Sequence, residues 1–519
     1  MKPPAQAGGI EGEIAKPQRG ERANLSSPST SVPKEPSPAE RPHLSEAKQR
    51  LLELQRRGKP QAPAVPAEPK RRAPGPVPLS LAQEQVWRLD QVAGKLAPLY
   101  NESITLRRHG PCDAVALEKA FAEIIRRHEI WRTTFELRDG QPVQMVHPAP
   151  ANFRLPTTDL RKLPEGEREP AALAAGAQDA RLAFDLSRGP LLRVRLVTLD
   201  DDEHKVFLTA HQSIVDGTTV YDVFPSELTA LYEAFASGKP SPLPDLEVQF
   251  ADFACWQRQH LTSNAADKQL AYWREQLAGE LPVLQWPKPG ARPARQTYRG
   301  AIHPFTFSQE LTQSLRDFAR REGVTLFMVL LSGFLALLHR YTLQDDIIVG
   351  TLAPAGRKQP EFQRLLGFFL NPVALRANLS GDPAFRSLLH QVREVTLGAI
   401  SNDDLPLEHI AEKLEIKPDP SRNLFFTVAL SVAPDVPPLP PGWSMSFMDV
   451  ESGGARWDLY LELSDRAEGM MGRAQYNPDI FTPATITQTV RDLQVVLKHA
   501  AADPAQPISY LAGRQTRTS

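Results

Sequence analysis

The first aromatic residue of this 519-residue chain is Trp87, and this late start limits what the beginning of the chain can fold into. Residues 1–77 contain fourteen prolines and no Phe, Trp or Tyr. Such a segment buries too little apolar surface to offset the entropy that is lost on ordering. We therefore expect residues 1–77 to form a disordered, Pro-rich N-terminal arm, with the folded region beginning at Pro78.

One short stretch of the arm, LSEAKQRLLELQRRGK at residues 44–59, has a helical pattern. Ser45 is a suitable N-cap residue, three leucines form a short apolar stripe, and Gly58 ends the pattern. An isolated helix of this length is marginally stable in water. Two interpretations remain open: a docking element for a partner, or a linker helix that forms transiently.

Helical and strand patterns are mixed in both halves of the remaining chain. Residues 114–137 have the spacing of a helix that runs into a strand, and residues 204–212 (HKVFLTAHQ) are typical of a strand. A Pro-rich break at 281–293 separates two halves with a similar order of elements, and the lack of a regular β-α alternation favours an α+β fold. The predicted parts are an N-terminal lobe at 78–280, a C-terminal lobe at 281–512 and a tail at 513–519.

Composition excludes several classes of protein. A 41% apolar fraction, a 23% charged fraction and a net charge of -1 are typical of a globular protein without a strong field for nucleic acid. The nearest approach to a membrane span, residues 326–338, is 13 residues long, which suits a buried helix. The N-terminus has no apolar signal region, and Cys112 and Cys255 form no metal-binding or disulfide pattern. We expect a cytoplasmic protein with no bound metal and no nucleic-acid or membrane partner.

The stretch AHQSIVDG, residues 210–217, is the part of the sequence that most resembles an active site. His211 and Gln212 leave an apolar strand, and neighbouring strand residues point to opposite faces. Asp216 followed by Gly217 is typical of a turn. Taken alone, this pattern is more typical of a buried histidine than of a catalytic one.

Six further stretches occur in a definite order around this motif. They are PLSLAQEQVWRLDQ (78–91), RRHEIWRTTFE (126–136), FADFACWQRQ (250–259), GVTLFMVLLSGFLALLHRYTLQDDIIVGTLAPAGR (323–357), LLGFFLNPVALR (365–376) and PSRNLFFTVAL (420–430). Together with the motif they resemble the condensation domains of nonribosomal peptide synthetases, over about residues 78–512. The resemblance implies two chloramphenicol-acetyltransferase-like lobes that form a V-shaped pseudo-dimer with a central tunnel.

The resemblance also implies how such a protein receives its substrates. Donor and acceptor carrier proteins would insert phosphopantetheine arms into the tunnel from opposite sides. The expected partners are therefore acyl or peptidyl carrier proteins and other synthetase modules. No bound cofactor is expected, because the carriers supply the phosphopantetheine, and the protein is expected to be a monomer.

The HHxxxDG motif of this family corresponds to residues 211–217 here. The first histidine of the family motif is mainly structural and corresponds to His211, whereas the second is catalytic and corresponds to Gln212. The resemblance implies that Asp216 forms a structural salt bridge with an arginine and that Gly217 leaves room for a thioester. The candidate arginines are Arg357 and Arg132, and the candidate tunnel-lining residues are Ser213, Asn371 and Trp457.

The departure from the family motif falls on its catalytic position. A glutamine can donate and accept hydrogen bonds, but it does not titrate. The first hypothesis is a condensation enzyme that joins a carrier-bound acyl or peptidyl thioester to an amine or an alcohol, with activity reduced by Gln212. The alternative is a catalytically silent module that docks carrier proteins or recruits a partner enzyme. An engineered substitution at position 212 in an active domain is also open.

Overall fold

A computed structural model describes most of the chain. The described residues are 69–73, 75–93, 99–261, 264–286, 292–434, 436–446 and 450–511. All of them belong to one compact unit. The helix predicted at 44–59 and the tail predicted at 513–519 lie outside the described residues.

Strands and helices alternate irregularly along the described chain. The strands are β1 Val77–Pro78, β2 Asn101–His109, β3 Thr133–Arg138, β4 Gln141–Val146, β5 Thr157–Asp159, β6 Leu192–Asp200, β7 Glu203–His211, β8 Ala301–Thr306, β9 Asp346–Ala353, β10 Asn371–Asn378, β11 Val428–Val432, β12 Trp443–Ser446, β13 Leu459–Ser464 and β14 Met471–Tyr476. The helices are α1 Leu81–Ala93, α2 Ala114–Arg127, α3 Glu165–Arg181, α4 Phe224–Ala236, α5 Phe250–His260, α6 Asn264–Gln276, α7 Gln309–Glu322, α8 Leu326–Thr342, α9 Phe385–Ser401, α10 Leu407–Lys413 and α11 Pro483–Ala502. The α+β fold class predicted from the sequence is confirmed.

Three sheets organise the strands. The first large sheet has the order β12-β2-β7-β6-β5, the second has the order β10-β9-β11-β13-β14-β8, and a small sheet has the order β1-β4-β3. In the first sheet β2 and β7 are antiparallel along their full length, from Asn101 opposite His211 to His109 opposite Glu203. The motif at 210–217 therefore begins at one end of this strand pair.

Local sequence signals explain where several helices begin and end. Asp113 caps α2 by accepting hydrogen bonds from the backbone N–H groups of Val115 and Ala116. Gly323 ends α7 with a φ of 67°, a left-handed conformation that costs glycine little. Helix α8 is apolar on every side because it is buried along its length from Met328 to Leu338.

The helices of the fold are shorter or more polar than a membrane span requires, as far as the structure describes them. Within the described ranges, no single helix is long and apolar enough to cross a membrane. Helices α7 and α8 reach that length and composition only as a pair, and the pair is bent by 105° at the break between them.

Packing crosses the predicted boundary at residue 281 in both directions. Strand β12 comes from the second half of the chain but pairs with β2 in the first sheet. Trp273 of α6 packs in the core that the second half forms, and its Nε1 donates to the carbonyl of Asn402 at 2.8 Å. Phe369 packs in the core of the first half. The division into lobes at 280 and 281 stays a prediction, since these elements connect the two sides.

Contacts with the fold begin before Pro78, so the predicted end of the arm is too late. The Nη1 of Arg72 lies 2.9 Å from Asp252, and its Nη2 lies 2.8 Å from Glu129. Arg71 contacts the same two carboxylates at 3.1 and 3.2 Å. Composition alone did not reveal this, because the two arginines are attached by charge rather than by apolar burial.

Candidate active site

The motif forms a buried turn between a strand and a helix. His211 is the last residue of β7, residues 212–214 form one turn of 3₁₀-helix, and Thr219–Val223 form a π-helical turn that leads into α4. The residues from His211 to Asp216 are all buried. The strand therefore delivers the motif to the interior of the protein rather than to an exposed loop.

His211 is held as a neutral ring by its surroundings. Its Nδ1 accepts a hydrogen bond from the backbone N–H of Ser213 at 3.3 Å and lies 2.8 Å from the Ser213 Oγ. This pattern assigns the ring proton to Nε2. The rings of Tyr100 and Phe184 approach the imidazole edge-on at centroid distances of 5.9 and 6.2 Å. Burial lowers the pKa of His211 to about 3, so the ring stays uncharged at neutral pH.

Gln212 uses its backbone for structure and keeps its side chain available. Its backbone N–H donates to the carbonyl of Tyr100 at 2.7 Å, and its carbonyl accepts from Val215 at 3.3 Å. The residue is 8% exposed. From the part of the chain that the structure describes, no group hydrogen-bonds to the side-chain amide of Gln212. The amide can therefore donate to, or accept from, a substrate.

Asp216 forms a buried ion pair with Arg357. The Arg357 Nη2 lies 2.8 Å from Asp216 Oδ1, and its Nε lies 3.1 Å from Oδ2. The Asp216 carboxylate also accepts from the backbone N–H groups of Thr219 at 2.7 Å and Phe369 at 3.1 Å. Both oxygens of Asp216 are thus occupied, which leaves this carboxylate unsuited to accept a substrate proton.

Arg357 also fixes the chain that follows it. Its Nη1 donates to the carbonyls of Phe362, Gln363 and Leu365 at 3.0–3.2 Å. The guanidinium carbon lies 4.3 Å from the centroid of the Phe369 ring. One buried guanidinium therefore ties the motif to residues 362–369.

The second candidate arginine is located elsewhere. Arg132 donates to the carbonyl of His147, and its nearest carboxylate is that of Glu129 at 4.0 Å. Arg132 does not contact Asp216, so it is not the partner in the salt bridge. Both arginines occur in motif-like stretches, and the sequence carried no signal to choose between them.

Packing within the protein does not require a glycine at position 217. A Cβ at this position would meet the nearest side-chain atoms, those of Pro434 and Tyr221, at 3.5–3.8 Å, which is ordinary van der Waals contact. Because Gly217 has no side chain although a Cβ would fit, a small space is left beside the motif. The geometry is compatible with the family role of this glycine, which stays a prediction.

The three candidate tunnel-lining residues are buried and in contact with the protein. Ser213 is 1% exposed and pairs with His211. Asn371 donates to the carbonyls of Asp403 and Leu405, each at 2.7 Å. Trp457 packs against the rings of Phe426 and Tyr460. Their role in a tunnel stays a prediction.

Two residues of this region were missed by the sequence analysis. The Oγ1 of Thr219 joins Arg357 to the backbone of Gly367, with distances of 3.0–3.1 Å. The sequence signal that could have identified Thr219 was its place in the turn, two residues after Gly217. Glu102 lies opposite Ala210 in the ladder between β2 and β7. Strand pairing cannot be read from one sequence, and Glu102 therefore left no signal.

A cavity of about 700 Å³ lies away from these residues. It borders the start of β6 and the loop after β4, and its lining includes Trp131, Arg132, Phe153 and Arg193. No residue of the motif lines it, so we do not assign the chemistry of the motif to this cavity. Among the described residues, no group of three or more His, Cys, Asp or Glu side chains is placed to hold a metal ion.

Comparisons with known proteins identify relatives of this chain. The family model "Condensation domain" matches residues 74–516. A linear gramicidin synthase of Brevibacillus parabrevis is 39% identical over 84% of this chain. Phosphinothricin tripeptide synthetase PhsC of Streptomyces viridochromogenes is 38% identical over 86% of this chain. The match spans 6% and 41% of these two relatives, respectively.

Solved structures show the same fold. The X-domain from teicoplanin biosynthesis has a TM-score of 0.74 at 29% identity, with 86% of this chain and 99% of that chain covered. In a complex with OxyB the same X-domain gives 0.73 at 28% identity, with 88% and 99% covered. The first condensation domain of the calcium-dependent antibiotic synthetase gives 0.73 at 22% identity, with 84% and 99% covered. The chloramphenicol-acetyltransferase-like fold expected from the sequence is confirmed, and the chain belongs to the condensation domain family of the nonribosomal peptide synthetases.

Proposed function

We propose that this protein joins a carrier-bound acyl or peptidyl thioester to an amine, with Gln212 at the position of the family's catalytic histidine. One observation carries the proposal: the buried Asp216–Arg357 pair holds the motif in place, while the Gln212 amide beside it is free to contact a substrate. The machinery that positions the motif is therefore retained although the imidazole is absent.

The chemistry tolerates the loss of a base at position 212. A positioned general base typically contributes 10²–10⁴-fold, or roughly 3–5 kcal/mol. Holding two reactants in attack geometry can contribute about 7–11 kcal/mol. A thioester is an activated acyl donor and a free amine is already a nucleophile, so the larger contribution remains. An alcohol acceptor is the second class, and it suffers more because its proton must leave before or during attack.

The Gln212 side chain suits the orientation of an amine. Its carbonyl oxygen can accept one N–H of the amine and thereby direct the nitrogen lone pair toward the thioester carbon. The space beside Gly217 is suited to the thioester end of a phosphopantetheine arm. Acyl and peptidyl carrier proteins are the proposed partners, and they bring the phosphopantetheine with them.

Turnover by the purified protein tests this proposal. A carrier protein loaded with an acyl-phosphopantetheine is mixed with an amine acceptor, free or carrier-bound, and the amide product is quantified by mass spectrometry. Product above the uncatalysed rate supports the proposal. The control is the same mixture of carrier and acceptor without the protein, which measures the uncatalysed rate. No product from a panel of donors and acceptors would overturn it.

A second candidate function is a silent module that binds another protein. The observation that favours it is the similarity to the X-domain that was solved in complex with OxyB, at 28% identity and a TM-score of 0.73. The absence of a titrating side chain at Gln212 points the same way. Binding of a carrier protein without turnover, and without a gain in the Gln212→His variant, supports this candidate, whereas turnover by the unchanged protein excludes it.

A further inference from the structure

The ladder between β2 and β7 places one more carboxylate beside Gln212. His211 lies opposite Asn101, and Ala210 lies opposite Glu102. The hydrogen bond from the Gln212 N–H to Tyr100 carries the ladder one residue beyond the end of β7. Side chains alternate along a strand, so Glu102 and Ala210 share one face and His211 points to the other. Gln212 follows His211 directly, as the first residue of the 3₁₀ turn. Glu102 and Gln212 are then diagonal neighbours, about 7–8 Å apart at the backbone, within reach of two long side chains.

Unlike the titratable groups of the motif, Glu102 has a carboxylate that is available to a substrate. His211 points to the opposite face and has its Nδ1 occupied by Ser213. Asp216 has both oxygens occupied by Arg357 and two backbone N–H groups. The Glu102 side chain is 33% exposed, and its nearest ion-pair partner, Arg473, is 3.9 Å away. Its carboxylate therefore retains free acceptor positions.

The second large sheet supplies the surroundings of Glu102. Arg473 of β14 donates through Nε to the Glu462 carboxylate of β13 at 2.7 Å, and its Nη2 lies 2.7 Å from the same oxygen, which leaves Glu102 with the weaker contact. Burial raises the pKa of Glu102, the negative charge of Glu462 adds to this rise, and the charges of Arg473 and Arg456 oppose it. The hydroxyls of Tyr221 and Tyr460 also interact electrostatically with Glu102, Glu462 and Arg473. Burial raises the pKa values of both tyrosines well above 10, so they stay protonated. A carboxylate with a raised pKa is a better proton acceptor.

We propose that Glu102 accepts the proton of the attacking amine in place of the imidazole that is absent at position 212, while Gln212 orients that amine. The inference rests on the condensation activity proposed above. The amine nitrogen forms a bond to the thioester carbon and the carbon–sulfur bond breaks. The proton released from nitrogen passes to the Glu102 carboxylate and then to the departing thiolate. The products are an amide and a free thiol, and Glu102 ends as a carboxylate.

The Glu102→Gln variant tests this role with little change in shape. It retains length and a hydrogen-bond acceptor for Arg473 but cannot take up a proton. We expect kcat to fall by about 10²–10⁴-fold with KM changed little. In the unchanged protein kcat should fall as the pH drops through the raised pKa of Glu102, and the variant should lose this acidic limb. Adding Gln212→His to Glu102→Gln should restore most of the lost rate. Glu203→Gln, at the far end of β7, is the matched control and should leave kcat unchanged.

Each outcome separates this inference from the proposed function. The unchanged protein is assayed first, and a lack of turnover there overturns the proposed function and the role of Glu102 with it. Turnover of the unchanged protein together with an unaltered Glu102→Gln variant overturns the role of Glu102 alone. A loss of rate that keeps the acidic limb of the pH profile also overturns it, because a structural role would produce that result. Equal urea unfolding of the variant and the unchanged protein shows that the fold is intact.

Discussion

Asp216 and Arg357, which are 141 residues apart in the sequence, meet in a buried two-point ion pair, with Nη2–Oδ1 at 2.8 Å and Nε–Oδ2 at 3.1 Å. Their side chains are 0% and 1% exposed. A buried pair of this kind adds little net stability when complete, but the loss of one member leaves a charge without compensation. The pair therefore acts as a fixed connection between the motif and residues 362–369.

The Arg357→Ala variant should be strongly destabilised. It leaves Asp216 buried without its counter-ion and removes the donor to three backbone carbonyls, so we expect a loss of about 3–5 kcal/mol in the free energy of unfolding. Urea unfolding measures this. Arg132→Ala is the control, and its expected loss is less than about 1 kcal/mol because its ion pair is weak. Similar losses for both arginines would contradict a special role of Arg357.

Acid should destabilise the protein partly through His211. The folded protein keeps this ring neutral down to about pH 3, whereas the unfolded chain protonates it near pH 6.5. The unfolded state binds more protons between these values, so stability falls as the pH falls through this window. Between pH 7 and pH 5, His211 should account for about 2 kcal/mol of the loss. His211→Asn retains an acceptor for the Ser213 N–H. In urea unfolding, the variant should lose about 2 kcal/mol less stability between pH 7 and pH 5 than the unchanged protein does. Equal losses would indicate that His211 is not held neutral.

Substitutions at Gln212 should separate orientation from proton transfer. Gln212→Ala removes the amide and should lower kcat by roughly tenfold or more, because the amine loses its positioning contact. Gln212→His should change kcat by less than about tenfold, because Glu102 already takes the proton. Product formation under saturating acceptor measures both. A gain of several hundredfold in Gln212→His would show that the unchanged protein lacks a working base.

Gly217→Ala should fold normally and lose activity. The added methyl group meets Pro434 and Tyr221 at ordinary contact distances, so we expect a change in unfolding free energy of less than about 1 kcal/mol. The same methyl group occupies the space proposed for the thioester, so kcat/KM for the acyl-carrier donor should fall by at least about tenfold. Undiminished activity would remove the proposed role of Gly217.

Two truncations should locate the start of the folded region. Removal of residues 1–68 keeps Arg71 and Arg72, whereas removal of residues 1–75 deletes both arginine partners of the buried Asp252. We expect the second truncation to be less stable than the first by about 1–3 kcal/mol, because Asp252 is then left with fewer partners. Thermal or urea unfolding of the two truncated proteins decides this. Equal stability would show that the arginine contacts contribute nothing.

Features that depend on local sequence were predictable. The apolar run at 326–338 indicated a buried helix, and α8 is one. The ordered motifs located the strand and turn around Gln212 correctly, because each string specifies its own secondary structure. The end of the arm was placed too late, because Arg71 and Arg72 join the fold through carboxylates that are distant in sequence.

By itself the sequence determined the family, the place of the motif and the lack of a titrating side chain at position 212, since these depend on residue types and their order. Only the tertiary structure decided that Arg357 rather than Arg132 holds Asp216, and that Glu102 lies opposite Ala210, two residues before Gln212. Both results depend on which distant segments pack together and in which strand register. Many residues and the whole core set that register, so no single stretch of the chain carries it.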